Sequence, residues 1–234
     1  MEKPTIAIGD VHGLDLWRDV VEAHPECRIV FLGDYLDPFF YMSKVRLLGN
    51  LREIIDFKRS RPEDTVLLLG NHDLHYFCEE ASPASRFDAG IAGEASSLFL
   101  GNLDLFQYAF QDGEYLFTHA GVSQLWFDYD FCGDASRSVA EQLNNPAADQ
   151  VAALHRVGYA RGGRTCDTGG IFWADKSELE EPLYGFTQIV GHNRVAEVTG
   201  HTGPGSGKIV FCDCLRNGLY LYICAHERFC SHRF

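Results

Sequence analysis

No stretch of the chain reaches the roughly 18 uninterrupted apolar residues of a membrane-spanning helix, so no membrane partner is expected. Positive charge is also scarce: 20 Lys and Arg stand against 33 Asp and Glu, a net charge of −13. A field of that sign repels phosphate backbones, so nucleic acid is not an expected partner, although a metal cluster could still make one pocket locally positive. There is no internal repeat, no low-complexity tract and no linker rich in proline or serine. With 46% hydrophobic and 23% charged residues, these absences exclude a disordered chain, a coiled coil and a collagen-like repeat. The opening Met1-Glu2-Lys3-Pro4-Thr5-Ile6-Ala7-Ile8 lacks the apolar core of a secretion signal, which gives the expectation of a cytoplasmic protein. Eight cysteines are scattered along the chain, and 234 residues can bury a core without a disulfide framework, so reduced thiols are expected.

What is present is a series of short apolar runs, each ending at a polar cluster. Thr5–Ile8 leads into Gly9-Asp10-Val11-His12, Arg28–Leu32 into Gly33-Asp34, and Thr65–Leu69 into Gly70-Asn71-His72-Asp73. Tyr115–Thr118 leads into His119-Ala120-Gly121, and Gln188–Val190 into Gly191-His192. Runs of this length and composition, bounded by glycine, read as buried strands. Between the first three lie helical spacings, Leu14, Trp17, Val20 and Val21, then Val45, Leu48, Leu51, Ile54 and Ile55. Alternating strands and helices predict one α/β domain over 1–234, with insertions at about 78–113 and 122–185. Asn145-Pro146 predicts the start of a helix running through Val151 and Leu154 towards Gly158. Lys208–Cys212 and Leu219–Cys224 close the chain as strands after turn signals.

In such sheets ligands gather beyond the carboxyl ends of the strands, which is where every cluster falls. Asp10, His12, Asp34, Asp37, Asn71, His72, His119 and His192 therefore converge from five strands. Carboxylates, imidazoles and one amide oxygen suit Mn, Fe or Zn. Two such ions, roughly 3.5–4 Å apart, can clamp an in-line displacement at phosphorus, and a carboxylate such as Asp34 can bridge them. A single Gly-Asp after a strand is ordinarily a turn. Five clusters with histidines are another matter, because turns have no need of histidine.

The ordered blocks Asp10-Val11-His12, Gly33-Asp34-Tyr35-Leu36-Asp37, Gly70-Asn71-His72-Asp73, His119-Ala120-Gly121 and Gly191-His192 resemble the calcineurin-like metallophosphoesterases. Their spacing most resembles the phosphoprotein-phosphatase branch, with its bacterial serine/threonine phosphatases and diadenosine tetraphosphatases. The resemblance implies a four-layer α/β/β/α sandwich with a helical insertion over the site. It implies a first metal on Asp10, His12 and Asp34, and a second on Asp34, Asn71, His119 and His192, manganese being favoured and Fe or Zn possible. A metal-bound water or hydroxide would attack a phosphorylated substrate. His72 would be the general acid and Asp37 its partner. Phosphoprotein or a small phosphomonoester is the leading substrate class, dinucleoside polyphosphate the alternative, with a non-catalytic metal- and phosphate-binding protein as the contrasting reading. Oligomeric state is not predicted.

Two positions depart from the family pattern. Arg194 stands where many members have a second histidine, and Pro38 stands where the branch has a phosphate-gripping arginine. Arg164, Arg161, Arg194 and Lys176 are the candidates to replace that arginine, with Arg164 favoured from its place in the order. Other features are set aside. His75 reads as a capping or surface histidine rather than a partner of the site. Cys224-Ala225-His226 with Cys230-Ser231-His232 lacks zinc-finger spacing. Cys212 and Cys214 read as buried strand cysteines. Trp126-Phe127-Asp128-Tyr129-Asp130-Phe131 and Phe39-Phe40-Tyr41 read more readily as packing than as substrate contacts.

Overall fold

The computed structural model describes residues 3–164, 167–224 and 229–233. Eleven strands are β1 (Thr5–Ile8), β2 (Arg28–Phe31), β3 (Thr65–Leu68), β4 (Phe106–Gln107), β5 (Ala109–Asp112), β6 (Tyr115–Thr118), β7 (Thr187–Arg194), β8 (Thr199–Thr202), β9 (Lys208–Asp213), β10 (Leu219–Ile223) and β11 (Phe229–Arg233). The helices are α1 (Trp17–Ala23), α2 (Lys44–Ser60), α3 (Asn71–Leu74), α4 (Ala92–Leu100), α5 (Val139–Asn144) and α6 (Val151–Leu154). One sheet has the order β11-β10-β1-β2-β3-β4, the other β5-β6-β7-β9-β8. β1 to β4 run parallel and so do β6, β7 and β9, so their carboxyl ends share an edge of each sheet. Antiparallel strands flank both parallel blocks.

Alternation along β1 and β2 decides what meets what. Ala7, Val30 and Leu32, with Val66 and Leu68, turn inward to Phe117, Ile189 and Cys212 of the second sheet. Ile6, Ile8, Ile29 and Phe31 turn outward to the core shared with Trp17, Val20, Leu51 and Ile54 of α1 and α2. The expected layer order holds. The last layer is made of short pieces: α5 packs on β5, while Ala174 and Leu179 join Val190, Ile209 and Phe211 in a small apolar cluster. Among the described residues no helix is long and apolar enough to cross a membrane.

Ser43 caps α2 by accepting from the Arg46 N–H, and Lys58 and Arg59 stand at its carboxyl end, where cations suit the helix dipole. Leu47, Leu48, Leu51, Ile54 and Ile55 are buried at helical spacing. Val45, expected on that face, is 83% exposed, because it precedes the turn at which the helix meets the sheet. Asn50, buried on the same face, accepts from the Trp17 indole N–H at 2.9 Å and donates to the Leu14 carbonyl at 3.1 Å, docking α1 onto α2.

The helix expected to begin at Asn145-Pro146 does not. α5 starts earlier, at its Ser138 cap, and Asn145 closes it by donating its N–H to the Glu141 and Gln142 carbonyls. Pro146 then stops the chain rather than starting it, and only the single turn of α6 follows. The stretch 78–113, poor in strand signals, contains α4 and also supplies β4 and β5, one to each sheet. Trp126, Phe127 and Phe131 are fully buried, around a π-helical turn over Trp126–Asp130. Cys27, Cys78, Cys132, Cys212 and Cys214 carry free thiols, with Cys212 and Cys214 buried as expected. Of the tail cysteines and histidines, only Cys224 lies among the described side chains.

Leu51 is 1% exposed against Val45's 83%. Leu51→Ala is therefore expected to cost about 2–5 kcal/mol in urea unfolding and Val45→Ala less than about 0.5 kcal/mol. Equal effects would place the wrong face of α2 on the sheet.

Candidate metal centre

Each cluster lies just beyond, or within the last turns of, a parallel strand. The loops are joined to one another: the His12 N–H donates to the Asp34 carbonyl at 2.7 Å, and the Gly191 N–H to the His119 carbonyl at 2.8 Å. Seven non-glycine residues among those described have left-handed backbone, and four are site residues: His12 (φ +42°), Asp34 (+54°), Asp37 (+58°) and His192 (+57°). Such conformations cost on the order of 1–3 kcal/mol each and persist where surroundings enforce them. His192 reaches the site through an irregularity in β7, whose register against β9 shifts between Val190 and Arg194. Gly70 and Gly191 are required by close approach: a Cβ at Gly70 would collide with the Asp34 carboxylate and one at Gly191 with Asp10.

Asp34 lies at the centre. Its Oδ2 is 3.6 Å from His12 Nε2 and its Oδ1 is 3.5 Å from His119 Nε2, so the two oxygens face different imidazoles. Asp10, His12 and Asp34 form one group of ligand atoms, and Asp34, His119 and His192 a second. Asn71 Oδ1 joins the second group, 3.0 Å from His119 Nε2 and 3.0 Å from His192 Nδ1.

The tautomers test whether this set fits a cation. Nδ1 of His12 donates to the Leu36 carbonyl, and Nδ1 of His119 to the Leu32 carbonyl, each at 2.7 Å. That leaves both Nε2 atoms as lone pairs. Burial above all drops both imidazoles to a pKa of about 3, so they are neutral, and burial lowers His192 as well. His119 Nε2 thus faces Asn71 Oδ1 and Asp34 Oδ1 acceptor to acceptor, with no hydrogen of its own to offer them. His192 Nε2 is buried without a hydrogen-bond partner. Burial, then neighbouring carboxylates, raises Asp10; burial is also the largest cause at Asp34. Facing lone pairs and uncompensated buried carboxylates are the surroundings that a divalent ion satisfies, and the N/O donor set fits one.

Asp37 and His72 stand apart from these groups. His72 Nδ1 donates to Asp37 Oδ2 at 2.8 Å, while the His72 backbone N–H donates to Asp34 Oδ1 at 2.9 Å. One residue thus touches both the shared carboxylate and its own partner. His75, expected at the surface, is buried: its Nε2 lies 2.8 Å from Asp37 Oδ2 and its side chain is 2% exposed. The turn of α3 carries it inward three positions after His72, on the face already occupied by the site.

A cavity of about 520 Å³ opens over these residues, walled by Asp10, Asp34, Asn71, His72 and His192 and rimmed by Phe39 and Trp173. Arg161 and Arg194 line it. Arg161 donates to Asn193 Oδ1 at 2.7 Å, and its Nε lies 2.8 Å from Asp175. The Arg194 guanidinium sits 4.2 Å from the centre of the Phe39 ring. Arg164, the favoured replacement, is exposed and outside the lining, and the Lys176 ammonium lies over Phe211. At the position of the missing arginine, the Pro38 carbonyl accepts from Arg86 Nη1 at 3.3 Å. Phe39, Phe40 and Tyr41 are not core: they are 39%, 47% and 97% exposed, and Phe39 lines the cavity.

Sequence reasoning missed Asp213, buried at the carboxyl end of β9 beside Asp10 and lining the same cavity. The signal was available, since Lys208–Cys212 is another apolar run ending at an acidic residue. Asp73 was missed as a scaffold. Its buried carboxylate accepts from the N–H groups of Asp34 (2.7 Å), Tyr35 (2.8 Å) and Gly70 (2.9 Å), tying the loops after β2 and β3 together. Burial, with Asp34 nearby, pushes its pKa up to about 8.

Two packed mixed sheets gather carboxylates, imidazoles and an amide at their edge, in groups that could hold divalent ions. The chain belongs to the calcineurin-like phosphoesterase family, whose model matches residues 3–227. Solved structures agree on the fold. A cold-active protein-tyrosine phosphatase from a psychrophilic Shewanella superposes with a TM-score of 0.62 at 16% identity, covering 99% of this chain and 78% of that one. A protein serine/threonine phosphatase from Saccharomyces cerevisiae, similar to human phosphatase PP5, gives a TM-score of 0.57 at 14% identity, covering 100% and 80%. No curated protein matches the sequence.

A carboxylate whose folded pKa is raised favours its protonated form, and it costs stability as pH rises through that value. A cation takes the ionised form and removes the cost. Mn²⁺ is therefore expected to raise the melting temperature more at about pH 8 than at about pH 5.5, read by scanning calorimetry of chelator-treated protein. No gain at either pH would remove Asp10 and Asp34 as ligands.

Proposed function

We propose that the protein is a metal-dependent phosphatase acting on phosphomonoesters, a phosphoprotein or a small phosphometabolite. The observation that carries the reading is the Asp34 carboxylate, whose oxygens face two lone-pair imidazoles while His72, bonded to it through the backbone, turns its own ring to Asp37. Asp10, His12 and Asp34 would hold one divalent ion; Asp34, Asn71, His119 and His192 a second. Mn²⁺ is the best match to this mixed oxygen and nitrogen set. When bound, the ions supply activated water and neutralise charge on the phosphoryl oxygens.

The chain's own groups do the rest. Arg161, braced by Asn193 and Asp175, and Arg194, resting on Phe39, are placed to grip phosphoryl oxygens from the cavity wall. With Nδ1 bonded to Asp37, His72 keeps Nε2 for the leaving group. As the P–O bond breaks, its proton passes from Nε2 to the departing alkoxide oxygen, which becomes an alcohol. Asp37 holds the ring in that tautomer and stabilises its charged form before the transfer. Burial alone would raise Asp37, but donated bonds from His72, His75 and Tyr76 outweigh it and hold the group below the usual carboxylate range. Two neighbours in fold are named for phosphotyrosine and phosphoserine/threonine substrates, and phosphomonoester hydrolysis is what they share.

The test uses Mn²⁺-loaded protein with p-nitrophenyl phosphate, β-glycerophosphate and phosphopeptides. Hydrolysis is expected to stop on chelation and return with metal. His72→Asn should lower turnover of β-glycerophosphate by about 10²–10⁴-fold, because an alkoxide leaves poorly without a proton. Metal-loaded protein that binds phosphate yet turns over none of the three would be a binding protein, not an enzyme.

A further inference from the structure

The resemblance assigns Asp37 one partner, His72. The structure gives it three. His72 Nδ1 and His75 Nε2 both lie 2.8 Å from Oδ2, and the Tyr76 hydroxyl donates to Oδ1 at 2.5 Å. The His75 ring has a defined direction, because its Nδ1 accepts the Ala84 N–H at 3.2 Å, which leaves the proton on Nε2, packed 2.8 Å from Asp37 Oδ2 but off the line of a hydrogen bond. Tyr76 is oriented in the same way: its oxygen accepts the Asp88 N–H at 3.1 Å and donates its own hydrogen to Asp37. Phe87 closes over both rings, edge-on to His75 at 5.1 Å and stacked on Tyr76 at 5.0 Å.

We propose that His75 is a positioning residue for phosphoester cleavage, acting through Asp37 on His72, and that residues 83–88 set it through their backbone. The proposal rests on the reading in which His72 protonates the leaving group. A carboxylate bonded to one imidazole can swing about its terminal bond and carry that imidazole with it. Two donated bonds, one to each oxygen, and the His75 ring wedged 2.8 Å from Oδ2 remove that freedom. His75 and His72 share one oxygen, so the position of one ring limits the other; their ring centres are 5.7 Å apart. Asp37 also sits in left-handed backbone, which these donors help to hold.

His75, Asp37 and His72 bring ligand atoms close enough to suggest a third metal site. The hydrogens argue otherwise. His72 Nδ1 and the Tyr76 hydroxyl each donate to one oxygen of Asp37, and His75 Nε2 carries a proton rather than a lone pair, so the carboxylate is already satisfied. The segment that fixes His75 also reaches the substrate space, since Pro83 and Ser85 line the main cavity. A substrate that moves this segment would thereby move the proton donor, and this joins recognition to leaving-group protonation.

The test compares His75→Leu, His75→Gln and Tyr76→Phe with wild type, all Mn²⁺-loaded, on β-glycerophosphate and p-nitrophenyl phosphate. The nitrophenolate leaves readily, so it depends little on the proton donor, whereas the alkoxide depends on it fully. His75→Leu is expected to lower kcat on β-glycerophosphate about tenfold or more, with KM within about twofold, and to lower turnover of p-nitrophenyl phosphate less than about threefold. His75→Gln, which keeps a donor near Nε2, should recover most of the loss. Tyr76→Phe should show the same selectivity to a smaller degree, and it carries the measurement if His75→Leu fails to fold. Equal losses on both substrates with Mn²⁺ content unchanged, or no loss on either, would overturn the positioning role. A wild type inactive on both would overturn the phosphatase reading itself.

Discussion

The site depends on one constraint: a single buried carboxylate, Asp34, must present its two oxygens in different directions. Oδ2 looks towards His12, Oδ1 towards His119. Nothing in Asp34 alone maintains that pose. It is held by the Asp73 carboxylate gripping its backbone N–H, by the His72 N–H on Oδ1, and by the absence of a side chain at Gly70. The left-handed backbone at Asp34, and again at His12, Asp37 and His192, is the conformational cost of aiming short side chains at one point from different loops. Two packed sheets buried on every apolar face supply the stability that offsets it.

Burial gives the site its electrostatic character. An acidic protein places several carboxylates where water cannot reach them, and lets neutral imidazoles face them with lone pairs rather than protons. A protein core does not favour that arrangement unless a cation completes it. The network around Asp37 is built on the opposite principle. Around Asp37 the His72 imidazole and the Tyr76 phenol donate hydrogens to the charge, so the carboxylate needs no ion. The two halves meet at adjacent residues in the first turn of α3, since Asn71 Oδ1 faces His119 and His192 while His72 bonds Asp37.

The strands were legible in the sequence because a buried strand writes its own pattern: four or five apolar residues between glycines. β1 and β6 coincide with their expected spans, and the polar cluster after each run lies at the site. The helix boundary at Asn145-Pro146 was misread because the same dipeptide can end a helix as well as begin one, and only the cap at Ser138 decides which. His75 looked like a surface residue because its partners, Asp37 and the Ala84 N–H, are distant in the chain or lie in a loop without periodicity. Asp213 hid within a strand ending that read as cysteine packing. Arg161 and Arg164 differ only in position along an irregular loop, which no local pattern resolves.

The sequence by itself determined the α/β class, the strand ends and the identity of the side chains offered there, because burial and turn chemistry act over a few neighbouring residues. The tertiary structure alone decided which nitrogens point lone pairs and which point protons. It also decided which arginines reach the cavity and that His75 stands behind Asp37. Those outcomes depend on hydrogen bonds and packing between residues tens of positions apart, whose distances no local spacing encodes.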